Sequence, residues 1–270
     1  MSGSIEKSAN SVARSIEGRK NVRMGEIATG KRKLGGAESA VASKLTSTTR
    51  SLAAATSNAQ RALSFGQIAD GALSKLAEEI IRIKELAVAA SSDTFDATDR
   101  AKAQAEVATR LSTVDDVIVG TTRFGDSKLL DGTGGTASDG KFKFQIAEKA
   151  GDEIELDLSA KFDATTLGVN IVDVSTYDNA QTAIGLCDTA LGLINDGRAA
   201  AGAFLAGIES TISVNQVKAE NLEGALSVLE EVDFGDAMPE VAALNFQSQA
   251  AQAMISKGME NRQNLLGLLR

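Results

Sequence analysis

The chain contains no histidine and no tryptophan, and it has one cysteine, one proline and one tyrosine among 270 residues. Each gap removes a class of chemistry. Without histidine there is no imidazole base, no Ser-His or Cys-His nucleophile pair and no histidine-rich metal site. Cys187 stands alone, so the chain closes no disulfide within itself and gathers no thiolate cluster for zinc. A single proline leaves little to interrupt helices, and long helices are the expectation. No apolar run reaches the length needed to span a bilayer, and the first 30 residues lack the apolar core of a cleaved secretory signal. These absences point away from an enzyme and from membrane insertion. They remove most catalytic chemistry, and no catalytic, cofactor-binding or metal-ligating residue is singled out.

What is present is charge, unevenly spread over a net of -8. Residues 1 to 34 carry eight basic side chains (Lys7, Arg14, Arg19, Lys20, Arg23, Lys31, Arg32, Lys33) against Glu6, Glu17 and Glu26. Residues 220 to 240 carry seven carboxylates and no base. Two such segments either face solvent separately or attract each other, within one molecule or between copies. The first aromatic residue is Phe65, so the basic arm has no stacking partners for nucleic-acid bases and no nucleic acid is expected as a ligand.

Residues 25 to 32 read GEIATGKR, one position short of a phosphate-cradling loop. That loop needs a hydroxyl at its last position and a buried strand feeding it. Here the last position is Arg32 and the preceding residues show helical spacing, which speaks against a phosphate loop.

The strongest signal is a heptad repeat. From Val41 an apolar seam advances by alternating steps of four and three through Leu45, Leu52, Ala59, Gly66, Leu73 and Ile80 to Ala90. A second seam runs from Ile184 through Cys187, Ile194, Ala201, Leu205, Ile208 and Leu222 to Leu229. At the rise of an α-helix it would make a rod of about 68 Å. A 3.5-residue period held this long calls for helices that coil around partners, and small residues mid-seam let another helix approach closely. Arg198 and Asn215 are polar seam residues that fix register, while Cys187 reads as a small buried apolar residue. Asn195-Asp196-Gly197 is a turn signal, yet the seam runs through it and the helix is read as continuous.

Between the rods, Asp96 or Thr98 is placed to cap a shorter helix with Val107, Leu111, Val114 and Ile118 on one side. GTGGTASDG at 132 to 140 reads as a flexible break. KFKFQIAEKAGDEIELDLS then alternates about Ala150-Gly151. Phe142, Phe144 and Ile146 share one face, as do Ile154, Leu156 and Leu158, the pattern of a β-hairpin laid on helices. The chain closes with a helix from about Pro239, its seam including Val241, Leu244, Ser248, Ala251, Ile255, Leu265 and Leu269.

These stretches resemble bacterial flagellin. KLTSTTRSLAAATSNAQRALSFGQIADGALSKLAEEIIRIKELAVAA, at 44 to 90, is similar to the first outer-core helices of that family. TRLSTVDDVIVGTTRFGDSKLLDG, at 109 to 132, resembles the helix and turn that follow, including the F-x-x-x-x-L-L signature at Phe124, Leu129 and Leu130. LEEVDFGDAM resembles the joint before the carboxy-terminal helix, and NLLGLLR the closing residues. GEIATGKR falls where the family joins its inner helix to the rods, with Gly30 supplying backbone freedom. The first 35 residues depart from the pattern, with Lys7, Arg14, Arg19 and Arg23 among them and LGGAESAVA after them. IIRIKELAVA resembles the patch read by the animal flagellin receptor. It keeps Arg82, Leu86 and, further on, Glu106, but has Ile81, Lys84 and Ala89 in place of the commonest residues.

The resemblance implies a mainly α fold of long coiled-coil-like rods, one small β-hairpin and paired terminal helices. Residues 1–34 and 236–270 would be inner-core terminal helices, 35–131 and 180–235 outer-core rods, and 132–179 the hairpin and a short connector, with the outer variable domain absent or minimal. It implies a structural filament subunit that polymerises with itself for motility and resides outside the cell in the flagellum. Export would run through the flagellar export apparatus, without a cleaved signal peptide. Its partners would be a secretion chaperone, hook-associated and cap proteins, and other flagellins. Terminal stripes that cannot be buried alone would leave both ends largely disordered until assembly. The expected polymer interface comprises Ile5, Val12, Ile16, Leu52, Leu73, Ile80, Arg82, Leu86, Glu106, Leu244, Ile255, Leu265 and Leu269. The alternatives are a hook-filament junction protein, a nucleotide switch built on GEIATGKR, and a cytosolic coiled-coil adaptor.

Overall fold

The structure, a computed structural model, describes residues 2–268, apart from the side chains of 2–6, 9, 119–121, 262 and 265–268. Five α-helices carry most of the chain: α1 (Ser2–Thr29), α2 (Gly36–Ala90), α3 (Ala97–Asp115), α4 (Tyr177–Glu230) and α5 (Phe234–Leu268). Asp116–Thr121 continues α3 as a π-helical turn. Two antiparallel pairs complete it: β1 (Arg123–Phe124) with β2 (Ser127–Lys128), and β3 (Lys141–Gln145) with β4 (Glu153–Asp157). The chain divides into two compact units, Met1–Thr49 with Glu220–Arg270, and Arg50–Ala219.

In the second unit α2 and α4 run antiparallel. The partners give the direction: Lys84 pairs with Asp188, Asp70 with Arg198 at 3.1 Å, and Gly66 lies against Phe204 and Leu205. A Cβ at Gly66 would come within 2.8 Å of Leu205 Cδ2, so the mid-seam glycine permits a close approach. The heptad seam is the buried face, with Ala59, Ala62, Leu73, Leu76, Ile80, Ile83 and Ala87 on α2 facing the core. From α4 come Ala183, Cys187, Ile194, Ala201 and Ile208. Val41, at the head of the first seam and in the other unit, is exposed.

Helix α3 begins at Asp96, whose carboxylate accepts the N–H of Thr98 and of Asp99, both at 2.8 Å. It lies antiparallel on α2, with Arg82 on Glu106 at 3.0 Å and Arg110 on Glu79 at 3.1 Å. Val107, Val114 and Ile118 face the core and Leu111 packs against its edge.

The hairpin pairs Phe142 with Leu156 and Phe144 with Ile154, the faces predicted by the alternation. It rests on α4, where Asn215 donates to the Ile146 carbonyl at 2.8 Å and Lys218 pairs with Glu148 at 2.7 Å. Phe65 sits against three rings, Phe124, Phe142 and Phe144, with centroids 4.6–5.5 Å away. The glycine-rich run is an ordered set of turns rather than a loose break. Gly132, Gly135 and Gly140 have positive φ, Gly140 N–H donates to Gly134 O at 2.8 Å, and a Cβ on Gly135 would meet Lys141 O at 2.1 Å.

Helix α4 is unbroken through Asn195-Asp196-Gly197. Gly197 is there because the Phe162 ring occupies the space a side chain would need, with Cζ 2.6 Å from where a Cβ would lie.

In the first unit α1 and α5 pair antiparallel. Arg23 meets Glu240 at 2.9 Å, and Val232 N–H donates to the Gly30 carbonyl at 3.2 Å. The two helices meet through Ile16 on α1 and Ala237, Val241, Leu244 and Ser248 on α5, all buried, while Val12 on α1 stays exposed. Helix α5 also starts earlier than Pro239, at Phe234, because Asp233 caps it by accepting the Gly235 N–H at 2.8 Å. Pro239 removes only one donor, and Gly235, one turn earlier, is exposed.

Candidate assembly surface

The basic arm and the acidic segment meet within this one chain. Helix α1 ends at Thr29, and Gly30 adopts φ +69°, turning the backbone away. The next residues form a bridge with the end of α4: Arg32 N–H donates to Glu230 O at 2.7 Å, and Lys31 Nζ lies 2.6 Å from the Glu230 carboxylate. Arg32 reaches Glu38 at 3.1 Å and the Leu229 carbonyl at 3.3 Å. GEIATGKR is therefore fed by a helix, and the lysine of its phosphate-loop pattern is engaged by a carboxylate.

Glu26 sits at the centre of this joint, 6% exposed, accepting the Lys33 N–H at 2.8 Å and the Arg23 guanidinium at 2.9 Å. The Lys33 N–H, with Arg23 assisting and burial opposing, holds its carboxyl below the ordinary value. Arg23 is pushed above its own ordinary value by Glu26 first and Glu240 second.

Beyond this joint the terminal helices are half-satisfied. With 3.6 residues per turn, Val241, Leu244 and Ser248 fall on the side of α5 that meets α1, and Phe246, Ala250 and Ala253 fall opposite. Phe246 is 74% exposed, and Met238 and Met254 are exposed with it. On α1, Val12, Val22 and Met24 are exposed. Val228, near the end of α4 in the same unit, is 86% exposed. Apolar side chains thus lie open along both paired helices.

The sequence-predicted interface residues separate into several groups. Ile16 and Leu244 are buried where α1 and α5 meet. Val12 is exposed and Ile255 half-buried. Leu52, Leu73 and Ile80 have no exposed surface, which is all taken up within the chain. Arg82 and Glu106 form an accessible ion pair, and Leu86 packs partly buried on the core. Ile5, Leu265 and Leu269 lie outside the residues whose side chains are described. The sequence reading missed Phe246, Met238 and Met254 because it followed a single seam along α5. A second apolar row, Ala242, Phe246, Ala250 and Ala253, was there to be read.

Cys187 is fully buried, and desolvation pushes its thiol up to about 11. Among the described residues no group of three acidic or cysteine side chains is placed to hold a metal, and no helix is long and apolar enough to cross a membrane.

Known proteins resemble the chain along most of its length. The pattern of the bacterial flagellin N-terminal helical region matches residues 7–135, and that of the bacterial flagellin C-terminal helical region matches residues 184–269. A flagellin of Halalkalibacterium halodurans is 33% identical over 233 residues, covering 86% of this chain and 83% of that one. A flagellar filament 31.3 kDa core protein of Treponema maltophilum is 30% identical over 242 residues, with 86% and 84% covered. The crystal structure of Bacillus cereus flagellin superposes with a TM-score of 0.52 at 27% identity, over 58% of this chain and 88% of that one.

Proposed function

Because the chain belongs to the bacterial flagellin family and is a structural subunit of the flagellar filament, we propose that its copies meet through the outward faces of α1 and α5. The observation that carries this is the open apolar row on α5, with Phe246 74% exposed on the side turned away from α1. A repeated head-to-tail contact of such faces does not close on itself and builds a helix of indefinite length. Residues 1–34 and 236–270 then form the inner layer around a central channel, and 35–131 and 180–235 the tube outside it. Residues 132–179 supply little outer decoration. Of the predicted interface residues, Val12, Ile255, Ile5, Leu265 and Leu269 belong to the inner layer, while Arg82, Leu86 and Glu106 offer contacts on the rods. Membership in the family supports export by the flagellar apparatus to the cell exterior, with a chaperone, hook-associated and cap proteins as partners. The relatives named flagellin and filament core protein favour a filament role over that of a junction protein.

Replacing Phe246 with aspartate tests the reading. The expected outcome is a helical monomer, unchanged by circular dichroism, that stays in the supernatant on sedimentation and shows no filaments in electron micrographs. Filaments from this variant at the wild-type protein concentration would refute the assignment.

A further inference from the structure

Methionine is among the residues most often found inside proteins. This chain places it otherwise. Of its five methionines, four have side chains that are described, and all four are more than half exposed: Met24 at 51%, Met238 at 57%, Met254 at 76% and Met259 at 57%. All four lie on α1 and α5. Residues 50–219 contain none, and the core there is built from alanine, leucine, isoleucine, valine and phenylalanine with one cysteine.

An exposed thioether combines two properties. It is flexible and polarisable, which suits a surface that must adapt to neighbours, and it is open to two-electron oxidants. Cys187, the one thiol, is fully buried with its sulfur held in the neutral form, so it does not intercept an oxidant first. The accessible soft sulfur of the described residues is therefore the methionine set of the terminal helices.

We propose that Met24, Met238, Met254 and Met259 are an oxidation site that decides whether a free subunit can polymerise. The inference rests on the assignment of exposed α1 and α5 surface to assembly; Met24, Met238 and Met254 lie off the buried stripe, and Met259, five turns after Val241, lies past its buried end. The oxidant is a hydroperoxide, with hydrogen peroxide as the simplest member. The methionine sulfur attacks one peroxide oxygen, a sulfur–oxygen bond forms as the oxygen–oxygen bond breaks, and sulfur gives up two electrons. With hydrogen peroxide, the departing hydroxide takes the proton from the oxygen now bound to sulfur, so each event yields one sulfoxide and one water. A sulfoxide is polar where the thioether was apolar, and the face loses its drive to leave water. A methionine sulfoxide reductase with a dithiol reverses the change. Subunits already in a filament have these faces covered and resist the oxidant.

The experiment uses the full chain. Monomer is treated with hydrogen peroxide, modified positions are mapped by mass spectrometry, and the critical concentration is measured by sedimentation. The expected result is sulfoxide at all four positions and a critical concentration raised roughly tenfold or more, equivalent to about 1.4 kcal/mol per tenfold step. Reductase treatment restores assembly, and preformed filaments given the same peroxide remain largely unmodified at these positions. A variant carrying Met24→Leu, Met238→Leu, Met254→Leu and Met259→Leu should assemble with or without peroxide. If that variant fails to fold or assemble, the comparison of monomer with filament and the reductase rescue decide the matter.

Unchanged assembly of fully oxidised wild-type protein overturns the proposal, as does equal sensitivity in the leucine variant or failure of the reductase to restore polymerisation. The Phe246→Asp variant separates the two claims. If it assembles normally, the assembly face itself is misassigned. If it cannot assemble while oxidised wild-type protein can, only the oxidation site falls.

Discussion

Gly197 shows how a residue that carries a turn signal can be required by packing instead. Following Asn195 and Asp196, it looks like part of a turn, yet it lies mid-helix with the Phe162 ring pressed against it. Alanine in its place would gain up to about 1 kcal/mol of helix propensity. The added Cβ would sit 2.6 Å from Phe162 Cζ, and Phe162 is buried and bonded through its N–H to Leu130 O at 3.1 Å, so it cannot swing away freely. Overpacking of this kind costs about 1–3 kcal/mol, and it wins. Gly197→Ala is expected to destabilise the protein by about 1–2 kcal/mol in chemical unfolding, whereas stabilisation would show that Phe162 can repack. Cys187 was easier to read, since a lone thiol in a heptad seam has no polar partner to seek and behaves as a small hydrocarbon group.

At the scale of helices and strands, periodicity made α2, α3, α4 and the hairpin legible, because burying one face imposes a repeat that a sequence displays. The buried seam residues Leu73, Ile80 and Ile194, and the Phe142–Leu156 pairing, fall where that repeat put them. Boundaries set by single hydrogen bonds were harder to see. Asp233 starts α5 ahead of Pro239, and the glycines of 132–140 reach their turns only through contacts with Lys141, Ser159 and Leu158 that are remote from local propensity. The joint at Glu26 also depended on distance in sequence, since nothing local says that Arg23 will bridge to Glu240. Its pH response follows from the lowered carboxyl. In the unfolded chain Glu26 protonates at its ordinary value, and in the folded chain only at lower pH. Its stabilisation is therefore complete above the ordinary glutamate range and vanishes as pH falls through the folded value. Acidification below the ordinary range should loosen the α1–α5 pair, seen as faster amide exchange near Lys33, and Glu26→Gln should flatten that dependence. An identical acid profile in the glutamine variant would assign the response to other carboxylates.

For the molecule as a whole, the long heptad seams and the flagellin resemblance pointed to an assembly protein before any face could be assigned. Charges of opposite sign at the two ends are joined inside one subunit, through Arg23 with Glu240 and Lys31 with Glu230, so they are engaged before any second copy arrives. What the described faces of α1 and α5 still leave open is apolar surface, and on the proposed assembly neighbouring copies cover it. The chain has no indole, and its one phenol, Tyr177, belongs to the other unit. Phe246, open on the outer side of α5, therefore offers a site where one tryptophan would be the sole strong emitter in the protein. In Phe246→Trp the fluorescence should lie at the red, water-exposed end for dissolved subunits and move to the blue as they join. The growing polymer would then report its own progress as a change of colour, with no dye attached.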